Sequence, residues 1–316
     1  MTKIIVLDPL AEDGLKMMDE AGVAYDVRTG LSGAELREAL TEYDGAICRS
    51  GVKITRDALE GNATLKAIAR AGVGVDNIDL QAAKERGIVV MNTPGGNTVS
   101  TAELTFALML AVSRNIAQAH QSLVNGEWAR KALGKTSHQL GGKTLGVIGT
   151  GRVGAKVIQF ALAFDMKVIA LDPFLSAERA EALGVKKVDE LKDLLPEVDY
   201  LTVHVPLTDE TRGLIGDKEI ALMKDGAYLI NCARGGIYDL DALQRALDSG
   251  KLGGVAMDVY PEEPCVDLPL FKSPRVVCTP HLGASAVEAQ TLVALEAVEI
   301  LIEYLKTGVA RNQCNK

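Results

Sequence analysis

The sequence predicts an α/β protein of parallel sheets covered by helices on both faces, and three observations predict it. Short apolar runs alternate along the chain with stretches of helical periodicity. One run, from Leu145 to Ile148, opens directly into Gly149-x-Gly151-x-x-Gly154 and then a helical stretch to about Phe164. A further apolar run, Val168 to Leu171, ends on Asp172. Strands joined by helices must lie parallel, and their faces are then buried by the crossover helices.

In order, Ile4 to Leu7 is a strand and Gly14 to Ala21 a helix. Val23 to Val27 and Gly45 to Cys48 are strands on either side of a helix over Ala34 to Leu40. Leu65 to Ala69 forms another strand, followed by the loop Arg70 to Asp76. Val89 and Val90 precede the loop Asn92 to Asn97. Ligands of such sheets sit beyond the carboxyl ends of the strands, so Arg49, Ser50 and the Arg70 loop are candidate contacts. One long packing helix is expected from about Thr101 to Leu123, with Trp128, the only tryptophan, in a packing role beyond it. After the glycine-rich unit, strands are expected at Tyr200 to Val205, Ala227 to Asn231, Val255 to Val259 and Val276 to Thr279. A final helix covers about Ser285 to Leu305, and its periodicity does not say which sheet it joins.

The 316 residues suggest two domains. A net charge of −8 argues against general binding of nucleic acid or a membrane surface. No apolar run reaches the length of a membrane span, and MTKIIVLDPL reads as a strand rather than a secretory signal. Cys48, Cys232, Cys265, Cys278 and Cys314 lack metal-ligand spacing and read as reduced thiols of a cytoplasmic protein, with no metal expected.

Strand, glycines, helix, strand and acidic residue in this order form a dinucleotide fingerprint. Gly149 allows the tight turn, Gly151 lets the backbone approach a pyrophosphate, and Gly154 lets helix and sheet pack closely. The helix N-terminus near Arg152 and Val153 offers free N–H groups to the phosphates. Asp172 accepts from the ribose hydroxyls and repels a 2′-phosphate, and Pro173 and Phe174 follow it rather than an arginine. NAD is therefore the expected cofactor.

Four further segments carry a resemblance. They are Ala71-Gly72-Val73-Gly74-Val75-Asp76-Asn77-Ile78-Asp79, Asn231-Cys232-Ala233-Arg234-Gly235-Gly236, Asp258 to Pro264, and Thr279-Pro280-His281-Leu282-Gly283-Ala284. Together they resemble the D-isomer-specific 2-hydroxyacid dehydrogenases over nearly the whole chain, and most of all the D-3-phosphoglycerate dehydrogenases of serine synthesis. The chain would be a short form without their C-terminal regulatory domains. The resemblance implies two Rossmann-like doubly wound lobes with the active site in the cleft between them. Residues 1–97 plus 284–316 would form the substrate lobe and residues 98–283 the NAD lobe. It also implies a homodimer or homotetramer assembled through the NAD lobe, with the Trp128 segment near the partner.

The reaction needs a group that exchanges the hydroxyl proton near neutral pH, and His281 matches that position. Glu263 matches its tuning carboxylate, which favours the protonated ring. Arg234 matches the guanidinium that holds the substrate carboxylate and carbonyl. The amides of Gly74 and Val75 would clamp the same carboxylate. His204, Val205, Pro206, Cys232, Ala233, Asp258, Gly283 and Ala284 would line the cofactor with the glycine loop. His120 and His138 fall in no motif. Val73 stands where close relatives often carry a threonine that bonds the cofactor. A small anionic substrate bearing a phosphate would need cations beyond Arg234, and Arg49, Arg70 and Arg130 sit at or near matching positions, with Lys131 a further candidate. Asn97 either contacts substrate or hinges the lobes. The alternatives are a glyoxylate or hydroxypyruvate reductase of the same family, and an NAD-sensing protein of the corepressor type.

Overall fold

A computed structural model describes residues 2–316, and the chain divides into two compact units, Met1–Thr98 with Ala284–Lys316 and Val99–Gly283. The first unit holds strands β1 (Lys3–Val6), β2 (Ala24–Val27), β3 (Gly45–Cys48), β4 (Ala67–Arg70) and β5 (Val89–Asn92). They pair in parallel in the order β2-β1-β3-β4-β5. On one face, Leu36, Leu40, Tyr43, Leu59 and Ala82 pack on Ile5, Ile68 and Val90. On the other, Met18, Val293, Val298 and Leu301 pack on Ile4, Val6, Ile47 and Ala69. The last helix, Val287–Thr307, thus belongs to this sheet, where it lies against β3, β4 and β5 and the helix Glu12–Glu20. Covered faces explain why β3 (GAIC) is buried at every residue and shows no polar alternation.

The second unit holds β6 (Thr144–Ile148), β7 (Lys167–Leu171), β8 (Lys186–Val188), β9 (Tyr200–Val203), β10 (Ala227–Asn231), β11 (Leu252–Met257) and β12 (Val276–Cys278). Their order is β12-β11-β10-β9-β6-β7-β8, all parallel. The chain reverses its direction of winding between β6 and β9, the crevice where doubly wound sheets bind ligands. The helices Thr98–Ser113 and Arg152–Ala163 cover one face through Phe106, Met109, Val157 and Ile158. The helices Asp217–Leu222 and Leu240–Asp248 cover the other through Ile220, Leu243 and Leu247.

Two expectations need correction here. The long helix expected from Thr101 to Leu123 is two helices, Thr98–Ser113 and Ile116–Val124. The break falls at Asn115, whose φ of 53° is left-handed, a conformation asparagine adopts readily and an α-helix cannot continue through. Its side-chain Nδ2 donates to Leu133 O, Thr136 Oγ1 and Ser137 Oγ at 3.0–3.2 Å, fixing the turn. Trp128 does not pack in the chain: it is 79% exposed, and Ile116, Leu123 and Val124 are also more than half exposed. Among the described residues no helix is long and apolar enough to cross a membrane.

Candidate active site

The glycine loop after β6 is built by close approaches. Gly149 has φ 90°, and a Cβ there would lie 2.6 Å from His204 O and 2.8 Å from Val205 Cγ1. A Cβ on Gly154 would sit 2.0 Å from Gly149 O, so only glycine lets the helix begin so near the turn. Around Gly151 there is open space. Gly151 is the N-cap of Arg152–Ala163 and makes no side-chain cap bond to the first-turn N–H groups, which an α-helix itself leaves unsatisfied. Backbone donors, a dipole end and clear volume fit a pyrophosphate.

Asp172, at the end of β7, is held ready for a diol. Its Oδ2 accepts from Thr150 N (2.6 Å) and Thr150 Oγ1 (2.8 Å), and its Oδ1 accepts from Phe174 N (2.8 Å). Desolvation is the largest single influence on this carboxyl and works to raise its pKa. The hydrogen bonds from Thr150 and Phe174 and the charge of Arg179 outweigh it and hold the pKa below the usual value. Arg179 was not found by sequence reasoning. It comes from the helix Ala177–Leu183, and its Nη2 lies 3.4 Å from Thr150 O. Only the fold puts a residue seven positions beyond Asp172 over the glycine loop.

His204, Val205 and Pro206 follow β9 beside that loop, and His204 N donates to Ile148 O at 2.7 Å. The His204 residue keeps some surface, but burial pushes the ring pKa down to about 4. Thr202 Oγ1 lies 3.1 Å from its Nε2. The folded protein then binds fewer protons than the unfolded chain between about pH 6.5 and 4, so stability falls as pH drops through that window, by up to roughly 3 kcal/mol. His204→Gln should flatten that part of the curve of melting temperature against pH. Parallel curves for variant and parent would refute this account.

The third cluster stands at the carboxyl ends of β10, β11 and β12. Buried Asn231 folds the turn after β10: its Oδ1 accepts from Ala233 N (2.9 Å) and its Nδ2 donates to Arg234 O (2.8 Å). Arg234 Nη1 donates to Ala233 O at 2.7 Å. Next to it, a Cβ on Gly235 would overlap Tyr260 C and O at 1.9–2.0 Å, so the Arg234 turn lies directly on the loop after β11. Cys232 is buried beneath, its thiol pushed up to about 12 by desolvation.

That loop carries Glu263, whose two oxygens have separate partners. Oε1 accepts from Tyr260 N at 3.0 Å, and Oε2 lies 2.6 Å from His281 Nδ1. An ionised carboxylate can only accept, so Nδ1 carries the proton and Nε2 is the nitrogen left to act on a ligand. His281 sits at φ 55°, an uncommon region for a non-glycine residue. Asp258 holds the loop in that shape. Its Oδ1 accepts from Thr279 Oγ1 (2.6 Å) and Leu282 N (2.7 Å), and its Oδ2 from Gly283 N (2.8 Å). Asp258 is fully buried. A left-handed residue held by three bonds to a buried carboxylate aims the imidazole, a role for Asp258 that the sequence did not disclose.

With this geometry in view, residues 106–283 match the family model described as D-isomer specific 2-hydroxyacid dehydrogenase, NAD binding domain. The chain belongs to that family. Among curated relatives of this dehydrogenase family, the D-3-phosphoglycerate dehydrogenase of Methanocaldococcus jannaschii is 48% identical over 100% of this chain and 60% of its own length. That of Bacillus subtilis is 44% identical over 97% of this chain and 57% of its own. The chain thus spans about three-fifths of the length of these relatives. Among solved structures, the TT0316 protein of Thermus thermophilus superposes with a TM-score of 0.89 at 36% identity, covering 99% of both chains.

The other unit gathers its polar loops at the carboxyl ends of β1, β3, β4 and β5. Arg49 N donates to Asp8 Oδ2 (2.6 Å), and Arg49 Nη1 to Pro9 O (3.2 Å). Asn77 Nδ2 donates to both Arg49 O and Val52 O at 2.7 Å, tying the Arg49-Ser50 loop to the segment after Val75. Gly72 N donates to Thr93 Oγ1 (2.6 Å), Asn92 Nδ2 to Val73 O (2.7 Å), and the Arg70 guanidinium lies over Gly72. Asp8, Asn77 and Thr93 shape this loop cluster, and spacing alone had not singled them out. Gly74 and Val75 lie within the cluster, and Asn97 follows β5 in the same unit. Arg130 and Lys131 belong to the other unit, on the exposed helix Arg130–Gly134.

Proposed function

We propose that this chain is an NAD-dependent D-3-phosphoglycerate dehydrogenase, interconverting D-3-phosphoglycerate and 3-phosphohydroxypyruvate in cytoplasmic serine synthesis. The observation that carries this reading is the 2.6 Å contact of Glu263 Oε2 with His281 Nδ1, at the carboxyl ends of the sheet that bears the glycine loop and Asp172. NAD, when bound, supplies the acceptor or donor of the hydride at C2. Gly149, Gly151, Arg152, Val153 and Gly154 hold its pyrophosphate and Asp172 its adenosine ribose. His204, Val205, Pro206, Ala233, Gly283 and Ala284 line the remainder, and Cys232 and Asp258, expected there too, are buried behind that lining.

His281 Nε2 takes the proton from the C2 hydroxyl during oxidation and returns it during reduction. Glu263 keeps the opposite ring nitrogen protonated and the ring in one orientation. Arg234 pairs with the substrate carboxylate and draws charge from the C2 oxygen. The Gly74 and Val75 amides complete the carboxylate's partners, and Asn97 borders the same substrate. In this reading residues 1–97 with 284–316 are the substrate lobe and residues 98–283 the NAD lobe. The exposed apolar set Ile116, Leu123, Val124 and Trp128 supports a homodimer or homotetramer formed through the NAD lobe.

The phosphate is assigned to Arg49, Arg70 and Arg130. Following NADH absorbance with phosphohydroxypyruvate, hydroxypyruvate, glyoxylate and 2-oxoglutarate tests the substrate directly. A charge-assisted contact of roughly 1.5–3 kcal/mol predicts about a 10- to 150-fold drop in kcat/KM for each Arg→Ala variant on the phosphorylated ketoacid. Hydroxypyruvate, lacking the phosphate, should change little. Equal losses on both ketoacids would give the arginines a structural role and favour a hydroxypyruvate reductase.

A further inference from the structure

An edge strand leaves a row of backbone groups unpaired, and residues 312–315 occupy that row on β5, the edge strand of the first sheet. The segment runs antiparallel to it, with Gln313 bridged to Met91. Buried Asn315 closes one end: its Oδ1 accepts from Val90 N at 3.0 Å and its Nδ2 donates to Ile88 O at 2.8 Å. Cys314 N donates to Val90 O at 2.8 Å. At the other end Asn312, left-handed at φ 53°, grips the backbone of Asn92 from both groups. Asn312 O accepts from Asn92 N at 3.3 Å, and Asn312 Nδ2 donates to Asn92 O at 3.2 Å. The same Nδ2 donates to Glu296 Oε1 at 3.0 Å, on the helix Val287–Thr307.

Asn92 passes this hold to the loop after β4. It ends β5, and its own Nδ2 donates to Val73 O at 2.7 Å. Beside it, Thr93 N donates to Gly72 O at 3.1 Å and Gly72 N to Thr93 Oγ1 at 2.6 Å. Gly72 and Val73 are thus fastened to the end of β5 at three points, directly before Gly74 and Val75. The bond to Val73 O has a particular consequence. In a planar trans peptide the carbonyl and the next residue's N–H share one plane and point opposite ways, so fixing Val73 O fixes the direction of Gly74 N–H. Glycine beyond that plane offers little steric resistance to its turning, which leaves the orientation to the Asn92 bond.

We propose that Asn92 is a positioning residue for the substrate carboxylate, aiming the Gly74 N–H through the Val73 carbonyl, with Asn312 bracing Asn92 from 220 residues away along the chain. This rests on the reading that the Gly74 and Val75 amides bind that carboxylate. The carboxylate does not change during hydride transfer at C2, so its clamp binds ground state and transition state alike. Loss of such a contact raises KM and leaves kcat in place. Every 2-ketoacid carries the carboxylate, so Asn92 acts on all of them, unlike the arginines assigned to the phosphate.

The test is steady-state kinetics of the full chain with NADH and phosphohydroxypyruvate, hydroxypyruvate or glyoxylate. Asn92→Ala should raise KM about 2- to 12-fold on every ketoacid the parent reduces, the worth of one neutral hydrogen bond, and keep kcat within about twofold. NADH affinity should not move. Asn312→Gly, a milder variant that keeps the left-handed backbone, should raise KM by less and add nothing in the Asn92→Ala background, because it acts through Asn92. Unchanged KM in Asn92→Ala would overturn the proposal, as would a fall in kcat at constant KM or additive effects in the double variant. A parent that reduces hydroxypyruvate but not phosphohydroxypyruvate would sink the phosphoglycerate reading and leave this test standing. Amide exchange over residues 71–78 needs no substrate at all: it should quicken in Asn92→Ala, and an unchanged rate would also overturn the proposal.

Discussion

Replacing His281 with alanine should lower turnover by roughly 10²- to 10⁴-fold, the range general acid–base catalysis contributes, and leave NADH binding intact. The argument is local. Glu263 Oε2 holds Nδ1 at 2.6 Å, and Asp258 fixes the turn through Thr279, Leu282 and Gly283, so the side chain is aimed by groups that alanine does not remove. NADH fluorescence titration separates binding from turnover. Glu263→Gln supplies the companion measurement. Its one amide oxygen can accept from Tyr260 N or from His281 Nδ1 but cannot serve both as the carboxylate does, and it carries no charge, so a loss of about 10- to 150-fold is expected, smaller than that of His281→Ala. If His281→Ala turned over within a fewfold of the parent, another group would have to move the proton.

Asp172→Ala should weaken NADH by about 10- to 150-fold, the equivalent of roughly 1.5–3 kcal/mol for bonds to a charged acceptor. NADPH should gain in relative terms. Two structural facts sharpen this. Thr150 and Phe174 already donate to the carboxylate, which preorganises it, and Arg179 is close enough to act on its charge. Removing the carboxylate leaves that guanidinium as the dominant charge at the ribose edge, a setting that suits a 2′-phosphate. Alanine also deprives Thr150 N–H of its acceptor, so Asp172→Asn and a melting curve distinguish lost recognition from a loosened loop. A parent enzyme that used NADPH as readily as NADH would remove Asp172 from this role.

The sequence disclosed the strands well, because a strand buried on both faces is an uninterrupted apolar run. Gly45 to Cys48 and Ala227 to Asn231 coincide with the structure residue for residue. It also disclosed the glycine loop, since Gly149 and Gly154 are required by contacts only a few residues apart. It did not disclose the break at Asn115, whose cause is three hydrogen bonds to residues 133–137, nor where Val287–Thr307 docks, which depends on β3 to β5 far earlier in the chain. Arg179 and Asp258 share that reason. The motif named Asp258 only as lining the cofactor, and its bonds to Thr279, Leu282 and Gly283, like those of Arg179 to the glycine loop, come from elements that neither periodicity nor motif spacing connects.

The break at Asn115 also divides the molecule in its resistance to opening. The nine-residue helix Ile116–Val124 and the helix Arg130–Gly134 have no buried residue, while Thr98–Ser113, directly before them, is anchored by eight. A nine-residue helix is below the length that holds together in water unaided, and here no apolar burial within the chain adds to it. The free energy of local opening must therefore drop sharply across two residues. In amide exchange terms, residues 116–134 of a single chain form the fast-exchanging margin of a slowly exchanging sheet, bounded by one left-handed asparagine, and slow exchange there would report a partner subunit covering Ile116, Leu123, Val124 and Trp128.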